Sequence, residues 1–187
     1  MTADSESPAE PIGIVEQPDG GLAVGALVPL GRLGGEMLAV LEKAGQLVVT
    51  PWRGVLVTDL VPSTAADWLD ALARAGLEVS ADSRWAGVTA CAGRPGCAKA
   101  LADVRHDAAE TTRFVAGLPV HWIGCERGCG SPSGPHVRVE ATGAGYAVTA
   151  PGSEATEPGA TTAGATTTGV TATKAEVGEL IAAARRG

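Results

Sequence analysis

Two cysteine pairs, Cys91 with Cys97 and Cys125 with Cys129, constrain this chain more than any other feature, and they contain all 4 of its cysteines. Each pair sits among small residues, in Thr89-Ala90-Cys91-Ala92-Gly93-Arg94-Pro95-Gly96-Cys97 and in Gly124-Cys125-Glu126-Arg127-Gly128-Cys129-Gly130. Glycine lets a backbone fold back at little steric cost, so such loops can wrap a compact inorganic group and aim amides at it. Four thiolates supplied as one close pair and a second, distant close pair suit a [4Fe-4S] cluster. Three other readings stand beside it. A structural zinc uses four cysteines too, but with about two to four residues inside each pair, which the first pair exceeds. Disulfides allow three connectivities, yet the polar, acidic start of the chain lacks the apolar core of a secretory leader, so an oxidising compartment is disfavoured. Four inert buried thiols would leave the glycine-rich surroundings unexplained.

Composition bounds the rest. A chain of 187 residues, 45% hydrophobic and 19% charged, has room for one domain or two small ones. No apolar run is long enough to span a membrane, and with no leader the expected location is cytoplasmic. A net charge of -7 argues against nucleic acid, because phosphate binding needs a basic surface. The aromatic load falls on Trp52, Trp68, Trp85 and Trp122, and Trp68 reads as a helix residue filling core volume.

Residues 1–11 are rich in Ser, Glu, Asp and Pro and should be disordered. Residues 12–81 read as a first domain, 82–150 as a second, and 151–187 as a Thr/Ala/Gly-rich flexible linker with a short terminal helix. In the first domain, 22–29 is a strand, and 34–44 is a helix with Met37, Val40 and Leu41 on one face. Residues 46–50 and 54–60 form a hairpin around Pro51-Trp52-Arg53. Ser63 caps a helix over 64–75, striped by Ala65, Trp68, Leu69, Leu72 and Ala73 and stopped by Gly76. Residues 77–79 form the last strand. This β-α-β-β-α-β order is that of the ferredoxin-like split βαβ unit, an α+β fold. In the second domain a strand over 85–90 delivers Cys91, and a long helix over 98–115 starts beside Cys97, its positive end facing the cluster. A strand over 118–123 returns to Cys125, and 137–141 with 145–150 close a hairpin. Thr173 and Glu176 form a capping box for a last helix through Arg186.

Cys-x5-Cys, a long gap and Cys-x3-Cys resemble the cluster domain of the nitrite and sulfite reductase superfamily. Within that superfamily, Thr50-Pro51-Trp52-Arg53, residues 91–99 followed by 101–105, and residues 120–130 most resemble the precorrin-3B synthase family. The resemblance implies a ferredoxin-like half-domain followed by a nitrite/sulfite reductase-type [4Fe-4S] cluster domain, with Cys91, Cys97, Cys125 and Cys129 as metal ligands. It implies an oxidoreductase of cobalamin biosynthesis that hydroxylates a precorrin with dioxygen while a side-chain carboxylate closes a lactone. In the related reductases the last cysteine is shared with a sirohaem iron, which corresponds to Cys129.

Either tetrapyrrole, precorrin or sirohaem, is a polycarboxylate, and planar guanidinium groups grip carboxylates bidentately. Arg53, Arg94 and Arg127, each inside a matching stretch, are therefore candidates to bind it, with Lys99 as a fourth. Each also reads as a solvated surface charge. His121 is either a hydrogen-bond donor near the cofactor or a satisfied core histidine, while His106 and His136 read as structural or solvated. No nucleotide fingerprint is present, so a ferredoxin or reductase should supply electrons. The resembled enzymes carry two such halves and this chain shows one. That implies a second half-subunit, a homodimer, or a cluster-carrying electron-transfer or accessory subunit. The chain also lacks a Lys-x-Lys pair for gripping sulfite or nitrite.

Overall fold

The computed structural model describes residues 10–151 and 170–186. The disorder expected over residues 1–11 and the linker expected over 151–171 fall almost wholly outside them. The chain divides into two compact units, Met1–Ser83 and Arg84–Gly187.

The first unit is an antiparallel sheet of β1 (Gly13–Glu16), β2 (Leu22–Leu27), β3 (Leu47–Val49) and β4 (Gly54–Leu60), in the order β1-β2-β4-β3. Helices α1 (Gly35–Leu41) and α2 (Pro62–Arg74) connect and follow these strands. Side chains alternate across a strand and recur every three or four residues on a helix. Val24, Ala26, Val55 and Val57 on β2 and β4 therefore meet Ala65 and Leu72 of α2 in one core, with Trp68 and Leu69 packed at its margin. After α2 the chain returns to β2, where Leu27 and Glu78 exchange both backbone bonds, 2.8 and 3.0 Å. This is the ferredoxin-like arrangement, with β4 between β2 and β3 and the final segment outside β2.

Two expectations change. The strand at 77–79 shrinks to one antiparallel bridge because the short β1, absent from the sequence reading, occupies the rest of that β2 edge. Helix α2 starts one residue before Ser63: Pro62 takes the first helical position behind Val61, and Ser63 does not act as its cap. Proline is preset for that position, since its fixed φ is helical and its missing N–H would have had no helical partner.

The second unit holds a five-stranded mixed sheet, β5 (Val88–Ala90), β6 (Val120–Ile123), β7 (Val137–Thr142), β8 (Gly145–Thr149) and β9 (Val170–Ala172), ordered as numbered. β5, β6 and β7 are parallel, and β7, β8 and β9 antiparallel. The register aligns Val88, Val120 and Val137, then Ala90, Trp122 and Val139, giving one apolar face. On it Trp122 meets Tyr146 edge to face, centroids 5.1 Å apart. Helices α3 (Val104–Thr111) and α4 (Val177–Arg186) pack on this unit, burying Val104, Ala108, Val177 and Ile181. The opposite face, carrying Thr89, His121 and Arg138, is where the polar chemistry lies.

The helix expected over 98–115 is α3 alone. Residues 97–103 form turns, because the Leu101 amide donates to Gly124 O at 2.7 Å rather than continuing a helix. Leu101 is 52% exposed, so its apolar spacing did not mark a buried helix face. Past Thr111 the chain is extended, with Thr112 at ψ 131. Residues 170–172, read as the end of the linker, form β9 instead, and ahead of α4 half of the predicted capping box is present: the Thr173 amide donates to Glu176 Oε2 at 3.1 Å, while Thr173 Oγ1 donates to the same oxygen at 2.7 Å rather than accepting the Glu176 amide. No helix among the described residues is long and apolar enough to cross a membrane.

Candidate metal centre

β5 and β6 run side by side and stop together, so the chain leaving each arrives at the same end of the sheet. The Cys91 amide extends their pairing by donating to Trp122 O at 2.8 Å, and the Gly124 amide donates to Cys91 Sγ at 3.2 Å. The two loops then interlock. A Cβ on Gly124 would lie 2.6 Å from Ala100 Cβ, and one on Gly93 would lie 2.8 Å from Val104 Cγ2. Only glycine permits this approach of the loops to each other and to α3. Within the first loop the Cys97 amide bonds Gly93 O at 2.8 Å, and the Arg94 amide bonds Ala102 O at 2.9 Å.

The donor set discriminates between metals. A single tetrahedral zinc at about 2.3 Å from each sulfur would bring its thiolates within about 4 Å of one another. Among the described residues, three or more metal-ligating groups converge within 4.8 Å only at His106, Asp107 and Glu110. The four free thiols are therefore more widely spread than one zinc requires. Cys91, Cys97 and Cys125 are half-buried and Cys129 is exposed.

The helix dipole expected beside Cys97 does not operate there. Helix α3 begins at Val104, and Asp103 caps it by accepting the His106 amide at 3.1 Å. Lys99 lies in the preceding turn and shares the lining of a cavity of about 700 Å³ with Leu101, Cys125, Arg127 and Glu140. Arg94 is committed to its own loop, its Nε donating to Ala100 O at 2.6 Å. Arg53 lies in the first unit, at the β3–β4 turn with φ 63.

Two arginines that sequence reasoning did not single out hold main-chain carbonyls of the loops. Arg105 Nε donates to Cys91 O at 2.9 Å, and Arg138 Nη2 donates to Glu126 O at 3.1 Å while pairing with Glu140 at 2.8 Å. Arg138 and Glu140 share one face by strand alternation, a signal present in the sequence; the reach to Glu126 is not. His121 is fully buried and is a satisfied core histidine: its ring has partners, and one is the carbonyl of Cys129, 3.1 Å from Nε2. His136 stays local, bonded to Gly134 O at 2.8 Å, and exposed His106 pairs with Glu110 at 3.4 Å.

A second polar cluster lies at α3. Buried Asp107 accepts from the Tyr146 hydroxyl, and Lys174 bonds Asp107 and Glu110 at 2.5 and 2.6 Å. Burial, then the Asp107 carboxylate, holds the Tyr146 hydroxyl well above its ordinary pKa. Hydrogen bonding by Lys174 lowers that of Glu110, and Asp107 with Glu110 raises that of Lys174. Lys174 supplies the cation for these carboxylates, which ties β9 and α4 to α3.

No protein-family model matches the chain, and no curated protein matches it. Among solved structures it is similar to the NirA protein of Mycobacterium tuberculosis, with a TM-score of 0.61 and 20% identity, over 95% of this chain and 37% of that one. The likeness is one of fold, and the chain spans little more than a third of that neighbour's length.

Proposed function

We propose that this chain binds a [4Fe-4S] cluster through Cys91, Cys97, Cys125 and Cys129 and acts as a precorrin-3B synthase-like oxidoreductase. The observation that carries the reading is the interlock of the two cysteine loops at the shared end of β5 and β6, closed by the Gly124 amide on Cys91 sulfur at 3.2 Å. The bound cluster would supply one-electron transfer. The chain's own residues do the rest: β5 and β6 set the distance between the pairs, Gly93 and Gly124 allow the approach, and Arg105 fixes the Cys91 carbonyl. The cavity of about 700 Å³ beside Cys125 offers Lys99 and Arg127 to the carboxylates of a tetrapyrrole. Cys129, the one exposed thiol, is available for sharing with a sirohaem iron.

Iron, acid-labile sulfide and zinc in protein purified without oxygen, with the visible spectrum, test the cofactor. About four iron and four sulfide per chain are expected for a [4Fe-4S] group; zinc without sulfide would overturn the reading. Incubation with a reduced precorrin, an electron donor and dioxygen tests the activity, and a hydroxylated lactone is expected.

A second reading is a cluster-carrying electron-transfer or accessory subunit, which the interlocked cysteine loops support equally, since they hold a cluster without requiring a tetrapyrrole. It predicts reversible one-electron redox without tetrapyrrole binding. A tight stoichiometric complex with sirohaem or a precorrin would remove it.

A further inference from the structure

The second cysteine loop crosses from β6 to its parallel neighbour β7 through residues 124–136 without a helix to stiffen it. Its conformation must be fixed by something else. Beneath it lie His121 and Arg138, paired in register on β6 and β7 and directed to the same face. His121 meets the Cys129 carbonyl at 3.1 Å, and Arg138 meets the Glu126 carbonyl at 3.1 Å. The close fit extends to the glycines: at Gly128, with φ 60, a Cβ would lie only 2.9 Å from Arg138 Nη1, and at Gly130, with φ 79, it would lie 3.7 Å from His121 Cε1.

We infer that His121 and Arg138 are positioning residues, a two-point saddle that grips the second cysteine loop by its main-chain carbonyls and so sets where Cys125 and Cys129 present their sulfurs. The chemistry of each group assigns its role. A carbonyl only accepts, so Nε2 of His121 carries the proton toward Cys129; on the other side of the ring Nδ1 lies 2.6 Å from the Thr89 hydroxyl, which also reaches Val120 O at 3.3 Å. Thr89 stands two residues before Cys91, so the chain Thr89–His121–Cys129 joins the strand of the first cysteine to the last cysteine. Both side chains bind backbone and leave the thiols free, as a support for ligands must. The consequence for a metal centre rests on the cluster reading above, but the saddle itself does not.

Amide hydrogen exchange of the full-length chain, with and without iron, tests the saddle. His121→Ala should speed exchange across residues 124–131 about 5-fold, the worth of one hydrogen bond, while His121→Gln, which restores a side-chain N–H donor, keeps most of the protection. Arg138→Met, a change on a partly exposed face, should loosen the Glu126 end alone and covers the case in which the buried substitution prevents folding. Exchange unchanged in residues 124–131, or quickened equally from β5 to β8, would overturn the saddle. In the iron-loaded chain, chelator-driven iron loss should be faster for His121→Ala than for His121→Gln. Wild-type protein that takes up no iron and sulfide would overturn the cluster reading alone, and the exchange pattern would still decide the saddle.

Discussion

The two units of this chain are held together in different ways. The first is mainly an apolar sandwich: Val24, Val57 and Leu72 have no exposed surface, and its buried polar residues are the small Thr50 and Ser83. The second buries His121, Asp107 and Arg185, each engaged with a polar partner; Arg185, for example, donates to Leu118 O at 2.7 Å and Ala86 O at 2.9 Å, just before β6 and β5. Burying apolar surface stabilises without specifying direction. Buried polar groups cost free energy unless their geometry is satisfied, so they hold backbone segments in defined places. The second unit, whose own core includes the fully buried Trp122, Val137 and Val139, thus adds polar contacts that place its loops.

That contrast can be broken, and the largest effect should come from a ligand. Cys129→Ser is expected to abolish or severely impair cluster assembly while leaving the fold of the first unit intact; iron content equal to wild type would remove Cys129 from the ligand set. Leu72→Ala should cost about 2–5 kcal/mol in the first unit, measured by denaturant unfolding, with iron content unchanged. Gly124→Ala should cost roughly 1–3 kcal/mol through overpacking, because its Cβ would lie 2.6 Å from that of Ala100. Unlike Leu72→Ala, it should also lower iron retention, and the pair of variants separates stability from placement.

The smallest effect concerns acid. Lys174 lowers the pKa of Glu110 from the ordinary 4.5, so the pair stabilises the fold above that value and its contribution is lost as pH falls through the lower folded-state pKa. Lys174→Met should therefore reduce the thermal midpoint at neutral pH and flatten its fall below about pH 4.5. An unchanged acid limb would show that the contact contributes nothing, as exposed ion pairs often do.

Much of the fold was legible because local pattern and tertiary outcome agreed. The stripe of Ala65, Trp68, Leu69 and Leu72 does face the core, and the Glu176 carboxylate does take the Thr173 amide ahead of α4. The sequence failed where an apolar period had no buried face behind it. Leu101 continued a helical pattern, yet its amide was claimed by Gly124, a residue distant in sequence, and the helix retreated to Val104. β1 and β9 were missed because each is short and gains its place from a neighbouring edge rather than from its own composition. Of the candidate site, the cysteines and the need for glycine were readable; Arg105, Arg138 and the partners of His121 were not, since each acts through a hydrogen bond to backbone far along the chain.

The sequence by itself determined the chemistry available: four thiols in two glycine-rich loops, split by an amphipathic segment and preceded by a β-α-β-β-α-β half. These follow from residue identity and short-range periodicity, which the chain carries without folding. Only the tertiary structure decided that the parallel register of β5 and β6 brings the two loops to one end of the sheet, that no helix dipole stands behind Cys97, and that a histidine and an arginine hold the second loop from below. Those outcomes depend on which distant backbone groups satisfy one another, and that is settled only when the chain closes on itself.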